Sequence, residues 1–212
     1  MKTLTLLLTS IFLMGILSAQ QTDKELTKEL KDKAIKEARK EAKSLKKDGW
    51  QVSEGALPLD MIVENAWKKQ LLEDEKGDPR YITADGNAVA ETRTVAEMQA
   101  VEMAKLQLAG LIQSNISSLV NSNIGNTQLN TEDAVSVTEV VQSAKSLIAT
   151  ELGYVNPFFK IYRNINENRV EVQVRLFYDS KQSLEIARKV VRNELKNKMK
   201  INEEELNKLM GL

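Results

Sequence analysis

An α+β fold, with a small antiparallel sheet packed against long helices and a charged helix at the N-terminus, is predicted by three features of the sequence. Residues from Thr94 to about Asn121 keep helical apolar spacing over a long run. Val155 to Tyr162 and Val170 to Tyr178 read as two strands joined by the Asn-rich turn Asn164 to Asn168. Asp23 to Asp48 is a polar, lysine-rich stretch that carries only a narrow apolar stripe.

In chain order, the first twenty residues read as a cleavable signal peptide. Lys2 gives a positive start, Leu4 to Leu17 an uncharged apolar run, and Ser18-Ala19-Gln20-Gln21 a small-residue cleavage site. That run is shorter than the roughly 20 residues needed to cross a bilayer, so no membrane-spanning segment is expected after cleavage. An exported protein, periplasmic or secreted, with association to the outer membrane as the alternative, is the implied location.

Residues 21–49 then form the charged amphipathic helix. Leu26, Leu30, Ala34, Ala38, Ala42 and Leu45 recur at three- or four-residue steps, and Gly49 marks the end. Pairs such as Glu29 with Lys33 and Asp32 with Lys36 support it at i,i+4. The stripe either lies on its own domain or serves an envelope protein partner or self-association through residues 23–48. An anionic membrane surface fits less well, because alanines replace the large apolar residues of interfacial helices.

Residues 50–79 are expected to be a connector followed by a helix. Trp50 reads as a packing anchor rather than a carbohydrate platform, and Asp60 to Asp74 as helical, with Ile62, Ala66, Trp67 and Leu71 on one face. The acidic run Glu73 to Asp78 invites calcium but lacks the alternating ligands of an EF-hand loop, so a solvated turn is the reading.

Residues 80–200 make the α+β core domain. Arg80 to Glu91 is strand-like, either one strand with a bulge or two strands about Asp85-Gly86-Asn87. Thr94-Val95-Ala96-Glu97 forms a capping box opening the long helix, in which Ala96, Ala100 and Ala104 give a small-residue face for close packing. Glu132 to Leu152 is read as one further helix. In the second hairpin strand, Val170, Val172, Val174, Leu176 and Tyr178 face a core while Glu171, Gln173 and Arg175 face water, with Phe177 the exception. Asp179 caps a closing helix with Leu184, Ala187, Val191 and Leu195 on one side, and residues 201–212 end in a short polar helix.

Composition narrows the chemistry. The chain has no cysteine and no histidine, which removes disulfides, thiol chemistry, and the usual base and transition-metal ligand near neutral pH. Thirty basic residues balance thirty acidic ones, so no net field draws it to nucleic acid. No catalytic, cofactor-binding or metal-binding motif is found, and a noncatalytic envelope binding or structural module is the leading reading. A carboxylate-dependent hydrolase of envelope glycans is the enzymatic alternative. It would use acids such as Glu91, Glu97 and Glu102, one of them held protonated.

The helix AEMQAVEMAKLQLAGLI, followed by YVNPFFKIYR and VEVQVRLFY, resembles the lipoprotein-20 family of bacterial envelope proteins over roughly Arg80 to Tyr178. The resemblance implies a small α+β envelope domain and supplies no site residues. Members are often anchored through an N-terminal lipidated cysteine, which this chain lacks.

Overall fold

The computed structural model describes residues 32–127 and 129–212. The signal peptide, the start of the charged helix, and Leu26 and Leu30 lie outside the described residues. The fold is α+β, with helices packed on a three-stranded antiparallel sheet in the order β1-β3-β2. Helix α1 covers 32–47 and α2 Leu59–Gln70. Strand β1 (Tyr81–Ala90) precedes the 32-residue helix α3 (Arg93–Ile124). Helices α4 (Thr131–Ser143) and α5 (Lys145–Glu151) lead to β2 (Phe159–Asn166) and β3 (Arg169–Asp179). Helices α6 (Ser180–Lys198) and α7 (Glu203–Met210) close the chain.

Segment 81–90 is a single regular strand, neither bulged nor turned at Asp85-Gly86-Asn87. It pairs with β3 without a break, from Tyr81 opposite Asp179 to Ala90 opposite Val170. The glycine is explained by what lies above it. A Cβ built on Gly86 would sit 1.9 Å from the Ala100 carbonyl oxygen and 2.9 Å from the Ala104 Cβ. Helix α3 therefore rests directly on the sheet, and Ala96, Ala100 and Ala104 on its lower face are fully buried. Its N-cap is Thr92, whose hydroxyl accepts from Val95 N–H, rather than Thr94. The capping position is thus set two residues earlier than the Thr94 box implies, where the chain leaves β1.

Past the sheet the far half of α3 joins a helical core. Leu108, Ile112 and Ile116 pack there with Val137 and Val141 of α4, Ile148 of α5, and Val191 and Leu195 of α6. The terminal helix belongs to this core and is not a polar appendage, since Leu206, Leu209 and Met210 are completely buried. Segment 132–152 is two helices broken at Ala144. The Gln113 side chain reaches from α3 and donates to the carbonyls of Val141 and Gln142 (3.3 and 2.9 Å), claiming acceptors at the point where the helix stops. Val155 to Phe158 lies outside β2, which starts at Phe159.

The second face of the sheet is also covered. Phe159, Ile161 and Phe177 form a second core with Ala38 and Ala42 of α1, Trp50, and Leu59, Val63 and Ala66 of α2. The alanine stripe of the charged helix is thus spent on its own domain, and Trp50 is the packing anchor at its exit. Trp67 is half-buried at the margin of this core, its indole N–H bonded to Glu41. A buried polar link fixes the arm. Arg163 Nε donates to Glu171 (2.6 Å), Asn87 donates to the other oxygen of that carboxylate (2.7 Å), and Arg163 also donates to the Asp48 carbonyl (3.2 Å). The Arg163 guanidinium lies over the Trp50 ring at 4.7 Å. Gln51 exchanges two backbone bonds with Tyr162 (2.7 and 2.9 Å), covering part of the outer edge of β2.

Replacing Gly86 with alanine places a methyl group against backbone that cannot swing aside. Loss of about 1–3 kcal/mol or more is expected from overpacking, read as a lower urea midpoint in equilibrium unfolding. An unchanged midpoint would mean that α3 does not sit this close to β1.

Candidate ligand-binding cleft

The aromatic residues assemble at the end of the sheet where β1 begins and β3 ends. Three separate segments build the assembly. Arg80 and Tyr81 are placed by backbone bonds from Arg80 N–H to Leu72 O (2.8 Å) and from Ser180 N–H to Arg80 O (2.9 Å), which tie the start of β1 to the end of α2 and the start of α6. The strand pairing sets Tyr178 and Asp179 beside them. The third segment is the loop after α5, released by Gly153 in the left-handed region (φ +61°) and pinned by buried Val155 and by Phe158 N–H donating to Arg175 O (3.2 Å).

These segments enclose an open cleft of about 480 Å³ lined by Arg80, Tyr81, Tyr154, Val155, Asn156, Phe177, Tyr178, Asp179 and Gln182. Tyr154 is 79% exposed although its neighbour Val155 is buried. Phe177 holds the aromatic wall together, meeting Tyr81 edge-on at 6.2 Å and Phe158 edge-on at 5.2 Å. Burial, and secondarily the adjacent Asp179 charge, push the Tyr178 phenol above its ordinary value, so it stays a neutral hydrogen-bonding group across the physiological range.

A cation packs against the same rings. Lys69, in the last turn of α2, places its Nζ 4.4 Å from the Phe158 ring centre, 4.6 Å from Tyr81 and 5.4 Å from Phe177. Its neighbours Lys68 and Arg80 pair with Glu64 and Asp179, whereas Lys69 has no carboxylate among the described residues. Burial, then the charge of Arg80, hold the Lys69 ammonium below the ordinary lysine value.

A second hollow of about 280 Å³ adjoins the first, sharing Arg80 and Asp179, and is lined also by Glu73, Asp74, Glu75, Ser180 and Lys181. Here lies the acidic run considered for calcium. The Asp74 carboxylate accepts from the backbone N–H groups of Lys76 (2.8 Å) and Asp78 (3.2 Å), so it organises its own turn. No cluster of three or more metal-ligating side chains occurs among the described residues. The acids weighed for hydrolysis are not brought together. Glu97 pairs with Lys160 of β2 (2.7 Å) and Glu102 with Lys105 (2.8 Å), and at 100° per residue the two point about 140° apart around α3. Glu91 lies by the β2–β3 turn, in a shallow groove with Asn166 to Arg169.

Tyr154, Arg80 and Lys69 carry no motif, and local periodicity could not have gathered them. The usable signal was compositional: Tyr81, Tyr154, Phe158, Phe177 and Tyr178 are five of the ten aromatics in the chain, counting 4 Phe, 4 Tyr and 2 Trp. No family model matches this chain, and no curated protein or solved structure matches it either.

The lowered Asp74 carboxyl makes a prediction with a definite sign. The backbone bond from Lys76 is the leading cause, followed on the lowering side by that from Asp78 and then by Lys181 and Lys76. A folded value below the unfolded one stabilises the protein above the unfolded value and loses that contribution as pH falls through the folded one. Asp74→Asn should therefore lower the Tm near neutral pH, and its deficit should shrink as pH drops below about 4. Thermal melts of both proteins across that range check this; a deficit independent of pH would assign the effect to geometry alone.

Proposed function

We propose that this chain is a noncatalytic binding module of the bacterial cell envelope, and that it takes a saccharide in the cleft beside Tyr154. The observation that carries this reading is a tyrosine left 79% exposed on a pinned loop, in a cleft that Tyr81, Phe177 and Tyr178 also line. Ring faces offer apolar area to the C–H faces of a sugar, while the Asn156 and Gln182 amides and the tyrosine hydroxyls supply directional hydrogen bonds.

A binding role also accords with the carboxylates. Each Asp or Glu with a resolved shift among the described residues is lowered: Glu37, Asp74, Glu203 and Glu204. Two-carboxylate hydrolysis needs one acid held protonated, hence raised. An envelope location rests on the leader-like first twenty residues. No described helix is long and apolar enough to cross a membrane.

Isothermal titration with an N-acetylglucosamine tetramer and with soluble cell-wall fragments tests the proposal. The mature chain should bind at least one of them, and Tyr154→Ala should weaken that binding by about tenfold, the loss of roughly 1.4 kcal/mol of contact. Equal affinity in the variant, or no heat from either probe, would overturn it.

A further inference from the structure

We propose that Lys69 is a nucleophilic amine site for a small 2-oxo acid, its Nζ condensing with the ligand carbonyl while Arg80 receives the carboxylate. Two means of activating a lysine are desolvation against apolar groups and a neighbouring cation, and both are present here. The rings of Phe158, Tyr81 and Phe177 surround Nζ at 4.4 to 5.4 Å, and the Arg80 guanidinium lies 5.5 Å from the same Tyr81 ring centre. Several lysine ammonium groups on this surface are paired with an acid, as at Lys160–Glu97, Lys189–Glu151 and Lys208–Glu204. Lys69 has none among the described residues, so no nearby negative charge favours its protonated form. Both groups that meet the ligand can be reached from solvent. Lys69 is only partly buried, and the Arg80 side chain is 53% exposed. The Arg80 pair with Asp179 is long, 3.8 Å, leaving guanidinium N–H donors for a carboxylate.

The condensation balances without any further component. The deprotonated Lys69 amine forms a C–N bond to the keto carbon, the C–O bond breaks, and one water leaves to give an imine. The inference goes beyond saccharide binding and does not depend on it, because Lys69 is not among the residues that line the cleft beside Tyr154.

Full-length protein is incubated with pyruvate and sodium cyanoborohydride near neutral pH, which reduces the imine to a stable secondary amine, and peptide mass spectrometry gives the extent of modification at every lysine. Lys69 should be modified several-fold faster than any other lysine. Arg80→Gln should slow pyruvate trapping at Lys69 more than trapping of neutral acetaldehyde, because acetaldehyde loses only the activating charge whereas pyruvate also loses the partner of its carboxylate, a difference that mere structural damage would not produce. Tyr154→Ala should leave the Lys69 rate unchanged even where it abolishes saccharide binding, so the two proposals fail separately. Labelling spread evenly over the exposed lysines, or Lys69 among the slowest, would overturn the inference. So would equal loss of both carbonyl probes in the Arg80 variant.

Discussion

The close approach of α3 to the sheet at Gly86 is the constraint on which the other elements depend. A backbone carbonyl of the helix occupies the space where a side chain on β1 would stand, so the sheet face beneath it has to be nearly flat. Alanines at 96, 100 and 104 provide the matching flat surface on the helix. The small residues contribute little apolar area each, but they allow dispersion contacts along the whole length of the approach. With α3 seated low, its continuation past the sheet is aimed where Leu108, Ile112 and Ile116 can form the axis around which α4 to α7 gather.

Covering one face of a three-stranded sheet leaves the other available, and here it carries enough apolar surface to require a second layer. Phe159, Ile161 and Phe177 share that face with Arg163, Glu171 and Arg175, so it is neither dry nor wet throughout. The N-terminal arm covers only the apolar part. The adjoining Glu171 is buried to 9% exposure and is satisfied by Arg163 and Asn87, whose hydrogen bonds offset the cost of removing it from water. Arg163, itself partly exposed, reaches the carbonyl of Asp48 at the exit of α1, so one ion pair links the sheet to the arm and to Trp50.

Much of the architecture was legible because it is written in local periodicity. The alternation of Val170 to Tyr178, the alanine row of α3 and the aspartate cap at Asp179 each specify an element without outside help. The failures share a cause, which is that the deciding group is distant in sequence. Gln113 interrupts the helix at Ala144 from about 30 positions away, and the buried neighbours of Leu206 and Leu209 lie on other helices, so a sequence window reads α7 as polar. The cleft was illegible for the same reason. Its aromatics come from the starts and ends of strands, positions where a tyrosine reads equally well as a strand residue or a loop residue.

At Lys69 two effects oppose one another, and their balance gives the site its character. Ring faces attract an ammonium by roughly 0.5–2 kcal/mol, which favours the charged form. Removal of hydrating water, and after it the nearby Arg80 charge, disfavour it, and no carboxylate among the described residues pairs with the ammonium to offset them. An apolar residue would fill the same space without either penalty, so packing alone does not account for a lysine there. Phe177 meets both Tyr81 and Phe158 edge-on, and the same three rings pack against the Lys69 amine, so the cluster that Phe177 holds together is also what removes water from that amine.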